Sequence, residues 1–245
     1  MSGFIRIFIT PLLLLFSASL FAAAETKPAA PEKTVSSDLD LVFVLDKSGS
    51  MSGFEQDTIG GYNSVLAENR KKEGNIYVTT VLFNQENSTL HNREPISKVK
   101  NLTPDDYTVG GNTALLDAVG VTIEKIRENR KITKNNNVLF VIITDGEENS
   151  SSKYSRDKIK AMINSAEKED KWDFIFLGAN IDAIAEAGNI GIKSDNATGY
   201  VQDKAGYGKA YEAVNKAVEV KQQSKPITSD WKADVEKDNN ERSKK

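Results

Sequence analysis

The chain has 245 residues, of which 39% are hydrophobic and 27% are charged, with a formal net charge of -3 and no cysteine. The nearly balanced charge gives no reason to expect nucleic acid as a partner. The absence of cysteine excludes disulfides, a lipid-modified cysteine and thiol catalysis. This length and composition are typical of a globular protein with one domain or two small ones.

Residues 1–24 have the pattern of a signal peptide. Arg6 precedes a mostly apolar segment at 7–21, and three alanines at 22–24 form a small-residue cleavage site before Glu25. The apolar core is short for a membrane-spanning helix, and an uncleaved N-terminal anchor is the alternative. We therefore expect an exported protein, periplasmic or secreted, with no membrane span after the signal is removed.

The composition changes again on either side of the expected folded domain. Residues 25–37 are rich in Pro, Ala, Lys and Ser, which is typical of a flexible linker. The folded domain is expected over 38–225. Residues 226–245 are highly charged and weakly apolar, and this composition predicts a disordered tail.

Strand and helix patterns alternate through the domain. Apolar or β-branched runs predict strands, and apolar residues three or four apart predict amphipathic helices. In chain order the patterns predict a strand at 41–45, a helix at 54–71, a strand at 76–83, short strand candidates at 88–91 and 96–99, a helix at 113–127, a strand at 138–143, a helix at 155–168, a strand at 172–177, and helices at 181–187 and 207–222. This alternation predicts an α/β fold, a doubly wound and mostly parallel central sheet with helices on both faces.

Three polar segments adjoin these elements. The segment 46–50 follows the first strand, 110–113 precedes a helix, and 144–148 follows the strand at 138–143. Because ligands of a parallel α/β sheet bind at the carboxyl ends of its strands, we expect the three segments to lie together. Their side chains offer carboxylate and hydroxyl oxygens, which favour Mg²⁺, Mn²⁺ or Ca²⁺ over zinc or copper.

The motifs in these segments resemble those of the von Willebrand factor A domain. The chain carries D-x-S-G-S after the first strand, G-G-x-T before a helix and T-D-G after a central strand, in the family's order. The resemblance covers roughly 38–222. It implies a central parallel sheet with one short antiparallel edge strand, which 88–91 could supply. It also implies a metal-ion-dependent adhesion site made of Asp46, Ser48, Ser50, Thr113 and Asp145.

The resemblance implies a protein-binding module rather than an enzyme. Ser48 and Ser50 would face one ion, and Thr113 would bind it directly or through water. Asp46 and Asp145 would act mostly through water. The ion, Mg²⁺ with Mn²⁺ or Ca²⁺ as alternatives, would then attract a carboxylate, which the family takes from a partner protein. We expect a monomer whose unidentified partner presents Glu or Asp.

Two other functions remain open. A metal-assisted hydrolase would need a general base, and Glu147 and Glu148 are the only nearby acids not already assigned. A serine nucleophile would lack a histidine, because the sole histidine, His91, follows a different strand. The third possibility is a structural scaffold whose metal site is vestigial.

Several of these residues also have simpler interpretations. Segment 46–50 could do no more than cap the helix that follows it, and Thr113 could cap its own helix. Glu147 and Glu148 are expected to be solvated rather than to act as ligands. Asp117 is expected to face solvent or to cap locally, and His91 is expected to be a strand-edge residue.

Overall fold

The computed structural model describes residues 38–242, apart from 134 and 136, together with residue 3. The predicted signal peptide and linker, which precede residue 38, lie outside the described residues except for residue 3. Among the helices of the described part, none has the length and apolarity needed to cross a membrane.

Strands and helices alternate along the described part of the chain. The strands are β1 (Leu39–Asp46), β2 (Ile76–Phe83), β3 (Asn87–Pro95), β4 (Val138–Thr144), β5 (Asp173–Ala179) and β6 (Ala197–Tyr200). The α-helices are α1 (Glu55–Asn69), α2 (Leu115–Thr133), α3 (Arg156–Ser165), α4 (Ala183–Asn189), α5 (Lys204–Gln222) and α6 (Ala233–Arg242). Short 3₁₀ helices lie at Gly49–Met51, Ser194–Asn196 and Ser229–Lys232, and a π-helical turn lies at Ala166–Asp170.

The strands form one sheet in the order β3-β2-β1-β4-β5-β6. All neighbouring pairs are parallel except β2 and β3, which are antiparallel. Every residue of the central strands β1 and β4 is buried. The continuous apolar runs of these strands suit a sheet that is covered on both faces. The predicted mostly parallel α/β fold with one antiparallel edge strand is confirmed.

Alternate side chains of β1 belong to different hydrophobic cores. Leu41 and Phe43 pack in the cluster that contains the buried faces of α1 and α5. Val42 and Val44 pack in the cluster that contains the buried residues of α2 and α3. Because successive side chains of a strand point to opposite faces, this division shows that helices cover both sides of the sheet.

The strand candidate at 96–99 is wrong. The N–H groups of Lys98 and Val99 both donate to the carbonyl of Pro95, so the chain turns directly after β3. Ile96 and Val99 belong to this turn, and both side chains are buried. Their burial explains why the segment is apolar although it is not a strand. The antiparallel partner of β2 is instead the single strand β3, which extends the predicted 88–91 segment in both directions.

Residues 229–242 form a 3₁₀ turn and α6, which differs from the disordered tail that the charged composition predicts. Trp231 and Val235 lie four residues apart and pack in the same core cluster as α5. The buried ammonium of Lys232 donates to the carbonyls of Ser194 and Ala197 beside the edge strand β6. Two apolar anchors and one buried lysine thus hold an otherwise polar helix against the domain.

Candidate metal centre

The fold brings the three polar loops together at the carboxyl ends of the central parallel strands. β1 and β4 are parallel neighbours, with Leu45 opposite Ile143, so Asp46 and Asp145 emerge side by side at their carboxyl ends. The loop before α2 joins them through its backbone. Gly110 N–H donates to the Lys47 carbonyl at 2.9 Å, and Gly49 N–H donates to the Gly111 carbonyl at 3.0 Å.

Direct hydrogen bonds connect four of the five predicted site residues. The hydroxyl oxygens of Ser48 and Ser50 are 3.1 Å apart, and Ser50 Oγ donates to Asp145 Oδ1 at 2.5 Å. Asp46 Oδ1 accepts the Ser48 N–H at 2.7 Å, and its Oδ2 accepts the hydroxyl of Thr144 at 2.5 Å. The residues at 46, 48 and 145 are buried, whereas Ser50 is exposed, so the cluster opens to solvent at Ser50.

Thr113 joins this cluster across Gly146. A Cβ atom built on Gly146 would lie 2.8 Å from Thr113 Oγ1 and 3.3 Å from Ser50 Oγ. The two hydroxyls therefore converge on a space that any larger residue at 146 would fill. The structure thus brings all five sequence-predicted residues, Asp46, Ser48, Ser50, Thr113 and Asp145, into one group of oxygen atoms.

Burial makes this group a place where a cation would be favourable. Desolvation raises the pKa of Asp46 to about 6, against the lowering effect of hydrogen bonds from Thr144 and Ser48. Burial also raises the pKa of Asp145, while hydrogen bonds from Ser50 and Gln202 lower it. Both carboxylates are therefore costly to ionise at this position, and a nearby cation would offset that cost.

The donor set fits a hard divalent ion. The described residues contain no group of three or more His, Cys, Asp or Glu side chains placed to hold a metal. The candidate site instead combines two carboxylates with three hydroxyls, and all five groups offer oxygen. Oxygen ligands of this kind suit Mg²⁺, Mn²⁺ or Ca²⁺.

Comparison with known proteins identifies the family. A model of the von Willebrand factor type A domain matches residues 40–206. The chain belongs to this family. VWA domains are protein-interaction modules that often depend on a metal ion, and the matched region contains all five residues of the candidate site.

Solved structures of low sequence identity share the VWA fold, each with a TM-score of 0.51. Proximal thread matrix protein 1 from the mussel byssus is 16% identical, over 74% of this chain and 46% of that one. The von Willebrand factor type A protein from Catenulispora acidiphila is 13% identical, over 76% and 43%. A mutant of the PilB minor pilin from Streptococcus sanguinis is 12% identical, over 76% and 62%. This chain therefore spans only about half the length of such proteins, and no curated protein matches it significantly.

Glu148 is half-buried, and its carboxylate is bound internally rather than free in solvent. Its Oε1 accepts the N–H groups of Ser150 and Ser151. Its Oε2 accepts the Leu116 N–H and the Ser151 hydroxyl. The carboxylate thus joins the third loop of the VWA domain to the first turn of α2, a role that depends on tertiary contacts. Glu147 is exposed, in agreement with the expectation of a solvated side chain.

The carboxylate of Asp117 also accepts backbone N–H groups and does not face solvent. Its side chain is 6% exposed and accepts the backbone N–H groups of Ser152, Lys153 and Tyr154. It therefore fixes the path of the third loop as it leaves the site. Because these donors lie 35 to 37 residues further along the chain, the contact is tertiary, and the expectation of a solvent-facing or locally capping side chain is wrong.

His91 lies on the edge strand β3, as expected, but its side chain is buried. Its Nδ1 lies 3.3 Å from the hydroxyl of Tyr62 and 3.2 Å from that of Thr80. Burial lowers the pKa of the imidazole. These contacts join β3 to β2 and α1, so they explain the histidine as part of the packing.

Residues that the sequence did not point to hold the second loop in place. The side-chain amide of Asn84 donates to the Gly110 carbonyl at 2.7 Å, and Gln85 Oε1 accepts the Asn112 N–H at 3.0 Å. Both residues belong to the turn between β2 and β3. Only the folded sheet brings this turn to the candidate site, so no local sequence signal could have revealed the role.

Gly146→Ala tests whether the gap between the hydroxyls matters. We expect a loss of about 1–3 kcal/mol in the free energy of unfolding, because the new methyl group displaces Thr113 Oγ1. We also expect Mg²⁺ affinity to fall at least about tenfold, which corresponds to roughly 1.4 kcal/mol. Urea unfolding and calorimetric titration would measure the two effects. Gly208→Ala is the control, since a Cβ there meets nothing within 4 Å, and unchanged Mg²⁺ binding by Gly146→Ala would contradict the expectation.

Proposed function

We propose that this VWA domain holds a divalent ion of the Mg²⁺ type and uses it to capture a carboxylate of a partner protein. The observation that carries the proposal is the convergence of five oxygen-bearing side chains from three loops. Ser50 contacts both Ser48 and Asp145, and it shares the space over Gly146 with Thr113. The remaining member, Asp46, accepts a hydrogen bond from the backbone N–H of Ser48.

The residues divide into two chemical roles. Ser48, Ser50 and Thr113 would supply neutral oxygens to the ion, so they would leave much of its positive charge uncompensated. Asp46 and Asp145 would supply the negative charge that retains the ion. When bound, the ion offers an electrophilic position for an anionic oxygen. Mg²⁺ is the first choice, with Mn²⁺ and Ca²⁺ as alternatives.

The proposed partner is a protein that presents Glu or Asp outside the cytoplasm. The signal-like segment 1–24 supports export to the periplasm or the surroundings. The presence of a byssus thread protein and a minor pilin among similar folds agrees with such a location. We propose that the domain acts as a monomer.

Among the described residues, no contact of the site favours the hydrolase alternative. Four donors occupy the carboxylate of Glu148, which makes it a poor general base. Glu147 is exposed, and His91 is bonded to Tyr62 and Thr80 in the packing of β3. We therefore propose binding, rather than turnover, as the function of the site.

Carboxylate capture can be tested with a minimal probe. N-acetyl-glutamate amide would be titrated into ¹⁵N-labelled protein and followed by chemical-shift changes. With Mg²⁺ we expect shifts confined to the loops around Ser50, Thr113 and Asp145, because the ion offers the probe a position only there. With EDTA we expect these shifts to disappear.

N-acetyl-glutamine amide is the matched control for this titration, since it differs from the probe only in having an amide instead of the carboxylate. We expect it to cause no Mg²⁺-dependent shifts. Equal responses to both probes, or a response to the glutamate probe that persists in EDTA, would contradict carboxylate capture through an ion.

A further inference from the structure

Gln202 contacts the candidate metal centre from outside the three family loops. Its side-chain amide donates to Asp145 Oδ2, while Ser50 Oγ donates to Asp145 Oδ1. Each oxygen of the carboxylate therefore has its own donor. We propose that Gln202 is a positioning residue, which sets the orientation of the Asp145 carboxylate for the ion. This inference rests on the proposed metal-binding function.

A second amide holds Gln202 in this orientation. Asn180 Nδ2 donates to Gln202 Oε1, so the donors run in one direction from Asn180 to Gln202 to Asp145. Asn180 follows β5 with a φ of 53°, in the left-handed region that non-glycine residues seldom occupy. Its side-chain amide is the first donor in this series of two hydrogen bonds. Rotating the Gln202 amide by half a turn would replace both hydrogen bonds by repulsive contacts.

The backbone around Gln202 is also anchored. Asp203, the next residue, caps α5 by accepting the Gly206 N–H at 2.8 Å. The other carboxylate oxygen of Asp203 pairs with Arg242 at the end of α6. α6 lies beyond the region 40–206 that the family model matches. An element outside that region therefore helps to hold the segment that contacts the metal centre.

A neutral amide suits this task for an electrostatic reason. It fixes the rotation of the Asp145 carboxylate through a hydrogen bond but leaves its negative charge intact. A lysine or arginine in the same place would compete with the ion for that charge. Hydrogen bonds to a charged group are stronger than those between neutral groups, so one amide is sufficient to favour a single orientation.

Gln202→Met removes the amide and keeps a side chain of similar length. We expect it to raise the dissociation constants of Mg²⁺ and Mn²⁺ about tenfold, because Asp145 must then be ordered when the ion binds. Asn180→Gly removes the side chain that carries the second amide, and glycine tolerates the left-handed backbone, so we expect a smaller increase. Gln223→Ala, at the far end of α5, is the control and should bind as the wild type does. Calorimetry with Mg²⁺ and the electron paramagnetic resonance spectrum of bound Mn²⁺ would report affinity and site symmetry.

Urea unfolding in EDTA separates positioning from a purely structural role. A lower free energy of unfolding for Gln202→Met with unchanged dissociation constants would overturn the positioning role. A wild-type protein that binds neither ion would overturn both this inference and the proposed function. A wild type that binds Mg²⁺, with a Gln202→Met variant that binds it equally well, would overturn this inference alone.

Discussion

Asp46→Asn is expected to stabilise the protein in EDTA and to abolish its stabilisation by Mg²⁺. Asp46 is fully buried, and desolvation raises its pKa from 3.8 to about 6. A shift of about two units corresponds to roughly 3 kcal/mol of unfavourable ionisation at neutral pH. Asparagine avoids this cost, and its side chain can still bond the Ser48 N–H and the Thr144 hydroxyl that now contact Asp46.

The pH dependence of this effect has a definite sign. An acid whose folded pKa is raised makes the folded state bind more protons than the unfolded state does. Its stabilising contribution is therefore complete below pH 3.8 and is lost as the pH rises to about 6. In EDTA, the advantage of Asp46→Asn should grow between these values and stay constant above them. Urea unfolding at a series of pH values would measure it.

Mg²⁺ should raise the free energy of unfolding of the wild type but not that of Asp46→Asn. An ion at a hundred times its dissociation constant stabilises by about 2.7 kcal/mol, and we expect only the wild type to gain this. Asp40→Asn is the matched control, because Asp40 is another buried carboxylate of β1 at the opposite end of the strand. It should retain the response to Mg²⁺. A variant Asp46→Asn that is less stable in EDTA, or that still responds to Mg²⁺, would contradict the account.

Trp231→Ala is expected to lower the free energy of unfolding by about 3–5 kcal/mol. The indole is 3% exposed, packs in the cluster that contains α5, and donates from Nε1 to the Asp195 carbonyl. Its removal leaves a cavity and loosens α6 from the edge of β6. Urea unfolding would measure the loss.

Ile184→Ala is the control for this variant, because Ile184 is a large apolar side chain that is 48% exposed. We expect it to change stability by no more than about 0.5 kcal/mol. A chain that ends at residue 225 should lose at least as much stability as Trp231→Ala, since it lacks the whole of α6. If Trp231→Ala or the shortened chain were as stable as the wild type, α6 would not be an integral part of the domain.

The sheet could be predicted from sequence where its strands are long and buried on both faces. The run at 76–83 coincides with β2, and the predicted strands at 41–45 and 138–143 lie within β1 and β4. β6 was not predicted, because a four-residue strand that includes a glycine carries little apolar signal. α6 was not predicted because it buries few apolar side chains in a highly charged segment.

In the candidate site, too, local motifs could be recognised from the sequence, whereas contacts between distant residues could not. Its five residues belong to short motifs that can be recognised in the chain. The roles of Glu148 and Asp117 could not be recognised, because a carboxylate that accepts backbone N–H groups has the same sequence signal as a solvated one. Gln202 could not be recognised either, since its contact with Asp145 depends on the position of β6 at the edge of the sheet.

The central claim is that hydroxyls and carboxylates of three loops hold a divalent ion. Its most direct test is thermal unfolding of the wild type and of Ser50→Ala, each with EDTA and with millimolar Mg²⁺, Mn²⁺ or Ca²⁺. Ser50 is the right residue to change, since its hydroxyl contacts both Ser48 and Asp145. We expect Mg²⁺ to raise the Tm of the wild type by about 5–10 °C and to leave that of Ser50→Ala unchanged. No shift of the wild type with any of the three ions, or an equal shift in Ser50→Ala, would contradict the account.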